Sequence, residues 1–286
     1  MSTPSKEQTD KGDAGESSVM TELFASVGVQ VIDEPSYNSL IEYVDAAGQR
    51  SRAARGKATL HGRCWKLGDG LEVWAVLFEQ SDDAYFADCR PAFRSRYPRA
   101  LVPWELVEYE EDGEAVIEGS LHGGPDVVFE LQNLTEIPAV EWRAAHLHVA
   151  IAGLAYSAYV TRFPDPAAEP YASYRFLNAS EVEGLAEQAC ENDYVLNGRV
   201  LAWRSLRNPA TGAELFWVHV DAGTIRLEVI VNQRALRGQL KIGAAFSGNV
   251  WLQGHVLLDA ELEARYEGVD PDYLIGDFWG RLRRSN

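Results

Sequence analysis

Cysteine, positive charge and long apolar runs are all scarce in this chain, and each scarcity closes off a class of protein. The three cysteines, Cys64, Cys89 and Cys190, are odd in number and widely spaced, with no Cys-x-x-Cys pair. That excludes the dense framework of a small secreted disulfide scaffold and favours a reducing compartment. The longest apolar stretch, Leu147 to Tyr159, is shorter than a membrane span and is interrupted by Gly153 and Ser157. No integral membrane segment is expected. Also missing are the Gly-x-x-x-x-Gly-Lys phosphate loop, the dinucleotide-binding glycine fingerprint and the Gly-x-Ser-x-Gly nucleophile elbow, which disfavours nucleotide hydrolysis, nicotinamide chemistry and lipase-like hydrolysis. His122-Gly123-Gly124-Pro125 therefore reads as a turn, not as an oxyanion loop.

Lysine and arginine total 26 against 43 aspartates and glutamates, for a net charge of −17 and a pI near 4.8. The field of the whole molecule repels nucleic acid and anionic lipid, so a polyanion partner needs a local basic patch. The 286 residues, 46% of them hydrophobic, suffice for one large or two ordinary domains with packed cores. Residues 1–20 are polar and lack the apolar core of a signal peptide, and they read as a disordered tail. A soluble cytoplasmic protein is expected.

Past the tail, Tyr37, Leu40, Ile41 and Val44 follow Glu34-Pro35 at helical spacing, with Gly48 as the stop. Gln49 to Lys57 reads as a polar, basic linker. Ala58 to Cys64 and Leu71 to Phe78 form a hairpin about the Gly68-Asp69-Gly70 turn. A similar order returns later. Ser173 to Leu177 leads to Ser180-Glu181-Val182-Glu183, a capping-box pattern that predicts a helix to about Glu191. A hairpin follows, with an Asn208-Pro209-Ala210-Thr211-Gly212 turn, then a third strand after Asp221-Ala222-Gly223.

Leu196-Asn197-Gly198-Arg199 echoes Leu60-His61-Gly62-Arg63, and Leu252-Gln253-Gly254 echoes Ile117-Glu118-Gly119, at nearly equal offsets. The echoes predict an internal duplication into two units, 27–165 and 171–286, joined by the proline-rich stretch from Phe163 to Pro170. In the second unit Phe216, Val218 and Val220 share one strand face, while Leu215, Trp217, His219 and Asp221 share the other. On the next strand Leu227, Val229 and Val231 alternate with Arg226, Glu228, Ile230 and Asn232. Gly243, Gly248 and Gly254 punctuate a final hairpin over Phe246 to Leu258.

This succession of a hairpin, a third strand, an irregular connection near Gln233 to Gly238 and a glycine-punctuated end resembles an oligonucleotide/oligosaccharide-binding (OB) barrel. It covers about 65 residues of the second unit and, more loosely, Ala58 to His122 of the first. The run Gly248-Asn249-Val250-Trp251-Leu252-Gln253-Gly254 is also similar to uncharacterised bacterial proteins of the domain-of-unknown-function kind. The fold class expected is β-dominated α+β. Its two tandem units would each be a short helix plus a small OB-like barrel or bent antiparallel sheet. Asp270-Pro271-Asp272 opens a C-terminal amphipathic helix with Ile275, Phe278, Trp279 and Leu282 on one face. That face either docks internally or engages a protein partner.

Residues 193–257 carry seven basic and four acidic side chains, reversing the sign of the whole chain. Arg199, Trp217, His219 and Arg226 form the candidate ligand-binding face, an aromatic-plus-cation mixture of the sort that stacks nucleobases. The competing reading has Trp217 covered by the rest of the chain. His146-Leu147-His148 presents two imidazoles on one strand face and is the start of a metal site without an evident third ligand. Its alternative is ordinary polar strand residues.

Arg90, Arg94, Arg96 and Arg99 make a basic run that either binds a polyanion or is neutralised by the acidic run from Glu105 to Glu118. The acidic run reads as a solvated face. No catalytic residue, metal or cofactor is assigned. A non-catalytic binding or assembly role leads; the alternatives are single-stranded nucleic-acid binding by the second barrel and a metal-dependent enzyme built on His146 and His148.

Overall fold

The computed structural model of the protein describes residues 21–81, 83–109, 112–138, 146–162, 174–186, 189–259 and 261–262. The expectations for the N-terminal tail, for the connector at 163–170 and for the helix carrying Ile275, Phe278, Trp279 and Leu282 lie outside the described residues.

The expected helix is present as α1, Glu34–Ala47. Asp33 caps it by accepting from the Ser36 N–H at 2.9 Å, and the Ser36 hydroxyl in turn accepts from the Asp33 N–H at 3.1 Å. This reciprocal arrangement satisfies donors that a helix start leaves without partners. Leu40 and Val44 are buried and Tyr37 and Ile41 pack beside them, as the helical spacing required.

Gln49 to Lys57 is not a linker. Gln49–Arg55 forms β1, which pairs antiparallel with β2 (Ala58–Gly68) from Gln49 opposite Cys64 to Arg55 opposite Ala58. Its polar composition is that of an edge strand, where charged side chains face water and blunt further pairing. β3 (Leu71–Gln80) and β4 (Asp83–Phe93) complete a four-stranded antiparallel meander in sequence order.

The remaining strands are β5 (Pro98–Tyr109), β6 (Glu114–Leu121), β7 (Asp126–Leu131), β8 (Leu147–Thr161), β9 (Arg175–Asn178), β10 (Asp193–Arg207), β11 (Glu214–Asp221), β12 (Arg226–Asn232), β13 (Leu236–Arg237) and β14 (Ala245–Val256). They make one ten-stranded sheet in which β8 and β14 pair antiparallel from Thr161 opposite Ala245 to Val149 opposite Val256. Two closed circuits of pairing share that couple. In one, β10 pairs β11, β11 pairs β12, β12 runs parallel to β8, and β14 returns to β10. In the other, β5 pairs β6, β6 pairs β7, β7 runs parallel to β14, and β8 returns to β5. The chain is thus β-dominated with little helix, as its composition implied.

Two expectations change, and the place of the sequence echoes can be stated. The hairpin drawn over Phe246 to Leu258 is one long strand, because Gly248 and Gly254 permit close approach within it instead of turning it. A Cβ on Gly254 would lie 2.8 Å from the Phe129 ring. The helix predicted from Ser180 is a short 3-10 turn, Ala179–Glu181. Its cap is Asn178, whose side-chain oxygen accepts from the Ser180 N–H at 2.9 Å and from its hydroxyl at 2.6 Å, and Gly184 at a φ of +86° follows. Finally, the echoing sequences fall on β2 and β10 and on β6 and β14, yet β2 belongs to the four-stranded sheet and takes no part in either circuit.

The main core fills the two circuits with Val218, Val220, Leu227, Val229 and Val250 on one side and Leu101, Ile117, Phe129 and Ile151 on the other. A second core lies between the outer faces of β8, β11 and β12 and the four-stranded sheet, where Leu154, Leu215 and Ile230 meet Phe24, Val27, Val73 and Phe93. Replacing Gly254 by Ala is expected to cost about 1–3 kcal/mol by overpacking against Phe129. Urea unfolding would read this as a lower midpoint at unchanged slope; an unchanged midpoint would contradict the packing of β14 on β7.

Candidate ligand-binding site

The alternation read for β11 and β12 holds. Val218 stands opposite Val229 and Val220 opposite Leu227 on the core side, which puts Trp217 and Ile230, then His219 and Glu228, side by side on the other face. Period two decides this from sequence alone. What the outer face meets is decided elsewhere, by the connection between β4 and β5.

That connection brings Ser95, Arg96 and Tyr97 over the end of the face. The buried Glu228 accepts from the Ser95 hydroxyl, from the Arg96 N–H at 2.8 Å and from the Trp217 indole N–H at 2.6 Å. Burial pushes its carboxyl up, and the three donors pull it back. Tyr97 stacks on the His219 ring at 5.0 Å and 16°, and Trp217 tilts toward the same ring at 6.0 Å. Arg204 lies over Trp217 at 5.7 Å while pairing with Asp69 at 3.3 Å.

β10 supplies the opposite wall through an irregularity. Val200 faces Val220 and Ala202 faces His219, so Leu201 is an extra residue, a bulge of the sort that re-aims side chains beside a site. Beyond the last β10–β14 pair the Val200 N–H donates to the Ala244 carbonyl and the Val200 carbonyl accepts from the Gly243 N–H. This holds the 241–244 turn, and with it Ile242, against the opening.

The result is a cavity of about 610 Å³ lined by Arg96, Tyr97, Arg199, Leu201, Trp203, Arg204, Trp217, His219, Arg226, Glu228 and Ile242, among others. This volume is typical of small-molecule sites. All four residues of the candidate face, Arg199, Trp217, His219 and Arg226, line it. The covering foreseen for Trp217 is real but incomplete: it is half-buried, packed against the second core, and still forms wall. Sequence reading missed Tyr97, Trp203, Ile242 and above all Glu228. The available signal was a lone carboxylate between Arg226 and Ile230 on a face otherwise fit for burial.

His219 is 3% exposed and its Nδ1 has no hydrogen-bond partner. Burial, then the nearby Arg226 and Arg99 guanidiniums, push its pKa down to about 4 from 6.5. The imidazole is neutral at pH 7.

A larger opening of about 1220 Å³ lies between the N-terminal segment, β8 and the 210–214 and 232–237 connections. Several of its polar side chains are already committed within the fold. Asn232 donates to the Ala25 carbonyl, Thr211 to the Gly28 carbonyl and Ser39 to the Pro35 carbonyl.

The other sequence candidates do not converge. His146 and His148 are exposed at the start of β8, and no group of three or more His, Cys, Asp or Glu among the described residues is placed to hold a metal. Cys64 and Cys89 are buried free thiols whose pKa burial pushes up, the opposite of an activated nucleophile. The first half of the basic run, Arg90 and Arg94, is taken up within the fold. Arg90 pairs with Asp88 at 2.9 Å and Glu130 at 3.4 Å, and Arg94 with Glu72, Glu136 and Glu261 at 2.9–3.0 Å. Of the acidic run, Glu108 pairs with Arg55 at 3.2 Å, so that face is not purely solvated.

Residues 186–254, which span β10 to β12 and most of β14, match the family described as "Domain of unknown function, E. rectale Gene description (DUF3881)". The likeness to domain-of-unknown-function proteins is thereby borne out. No curated protein and no solved structure matches the chain. The matched stretch holds most of the cavity wall, whereas Arg96 and Tyr97 lie before it.

The depressed His219 pKa fixes the sign of a pH effect. Above about pH 6.5 the group is neutral in both folded and unfolded chains; as pH falls toward 4 only the unfolded chain takes up the proton. Stability is therefore lost across that window, on the order of 3 kcal/mol from this residue. The stability advantage of the wild type over His219→Gln should shrink by that order between pH 7 and pH 4 in urea titrations. A constant difference would contradict the buried neutral imidazole.

Proposed function

We propose that this chain is a non-catalytic binding protein whose site is the β10–β11–β12 cavity, and that its ligand is a planar ring system carrying negative charge. The observation that carries this reading is the convergence on one cavity of the aromatic side chains of Trp217 and Tyr97 with the cations Arg96, Arg199 and Arg226. Aromatic walls favour flat apolar rings, and guanidiniums favour carboxylate, sulfonate or phosphate oxygens. In a chain of net charge −17 a cationic cavity localises such an anion against the overall field.

In this proposal the two closed circuits are OB-like barrels, each a three-stranded meander completed by β8 and β14. The chain would then be two units that trade a closing strand, an arrangement in which the duplication is one of architecture. Barrels of this kind hold ligands on an outer face, the position of this cavity. A single-stranded nucleic acid is a special case, with one base in the cavity and the chain passing Trp203 and Arg204. Cytoplasmic placement belongs to the same proposal; on the membrane, no helix among the described residues is long and apolar enough to cross one.

Tryptophan fluorescence of the purified chain, titrated with naphthalene-1-sulfonate, nucleoside monophosphates and a short oligothymidylate, tests the site. Saturable quenching is expected, weakening about tenfold in Trp217→Ala and further as salt rises. Absence of quenching by all three probes would refute the proposal. Tighter binding of the oligonucleotide than of any monomer would assign the single-strand case.

A further inference from the structure

Resting on that reading, we propose that the ligand is a nucleotide whose base carries an exocyclic amino group, received by Glu228 and His219 at one end of the cavity while arginines hold its phosphate. Glu228 accepts from Ser95, Arg96 and Trp217, and a carboxylate has about four lone-pair positions. One acceptor position remains on a carboxylate that lines the cavity. A buried acceptor of that kind is matched by a single N–H donor, not by a second anion.

Beside it, the Nδ1 of His219 is buried without a partner. Nearly all buried polar atoms are hydrogen-bonded, so an orphan on a cavity wall marks a place where a ligand atom completes the pairing. Glu228 and His219 stand directly opposite one another across β11 and β12, so their side chains are neighbours on the cavity wall. Tyr97 is stacked on His219, and Trp217 is anchored through its indole N–H with Arg204 over its ring, so a base received by Glu228 and His219 is flanked by aromatic side chains.

The anionic part has its own partners. Among the described residues neither Arg96 nor Arg226 forms an ion pair, although both line the cavity. A phosphate monoester is the anion that two guanidinium forks suit best. A donor-bearing heteroaromatic edge at one end and a phosphate at the other together describe a nucleotide. No bond is made or broken in this proposal.

The test compares adenosine 5′-monophosphate with purine riboside 5′-monophosphate, which keeps the ring, sugar and phosphate but lacks the amino group. Both are titrated into the full chain by calorimetry, alongside ribose 5-phosphate and naphthalene-1-sulfonate. The amino-bearing nucleotide is expected to bind at least about tenfold more tightly than its deaminated analogue, because the analogue leaves the carboxylate position unpaired. Glu228→Gln should narrow that ratio, and should it fail to fold, the wild-type ratio decides alone.

Equal binding of the two nucleotides overturns the amino-group assignment and leaves the cavity as a site for planar anions. Binding of naphthalene-1-sulfonate with neither nucleotide bound overturns the nucleotide assignment in the same way. Ribose 5-phosphate binding as tightly as adenosine 5′-monophosphate overturns any role for the base. Silence of every probe removes the site itself.

Discussion

The antiparallel pairing of β8 with β14 is the constraint on which the rest of the molecule depends. Both strand circuits close through it, and β8 is buried on both faces from Val149 to Ala155. β8 answers with small side chains, Ala150, Ala152, Gly153, Ala155 and Ala158, set among Val149, Ile151 and Leu154. A strand buried on both sides must read as continuously apolar, and this explains why Leu147 to Tyr159 was the longest such run in the chain. The successive residues face different cores, with Ile151 and Ala155 in the main one and Ala152 and Leu154 in the second.

Because the couple presents a face to the second core, the outer side of β11 and β12 is covered over Leu215 and Ile230 and opens only toward Glu228 and His219. The cavity lies at that margin. It is also where local rules are broken together: a carboxylate on a strand face otherwise packed, a bulge at Leu201, and a histidine nitrogen without a partner. Burying Glu228 is expensive unless it is fully hydrogen-bonded, and its donors come from the β4–β5 connection and from β11. Holding a charge there costs stability that a wholly apolar face would not. Such costs concentrate at sites that serve a ligand.

Two buried ionic clusters tie the four-stranded sheet to the larger one. Arg94, just after β4, gathers Glu72 of β3 with Glu136 and Glu261, and Glu72 also accepts from Trp74 and contacts His255 of β14 at 3.1 Å. Burial opposes charge on Glu72, yet the His255 and Arg94 contacts hold its pKa down at about 2. Arg90 meets Asp88 and Glu130, where burial pushes the Glu130 carboxyl up and the arginine pulls it back. Buried ion pairs of this kind fix register and orientation more than they add stability. They place the β4–β5 connection, and through it Ser95 and Tyr97, over the site.

Much of the local structure was legible in the chain itself. The α1 boundaries, the turns at Gly68 to Gly70 and Asn208 to Gly212, and the two faces of β11 and β12 follow from cap residues, turn residues and side-chain alternation, all of which act within a few residues. Gln49 to Arg55 was misread because an edge strand and a linker share a polar composition, and only a partner strand distinguishes them. The sequence signal at Glu228 was only partial, for a related reason. Alternation puts it beside His219, but nothing local says that Ser95, Arg96 and Trp217 will bury it. The pairing of Arg90 and Arg94 was likewise expected with the acidic run nearby, whereas their partners come from positions as far away as Glu130, Glu136 and Glu261. Sequence alone determined which residues face the same way, because that is fixed by backbone period. Only the tertiary structure decided what each face meets, because the closure of both circuits through β8 and β14 joins residues that no local rule connects.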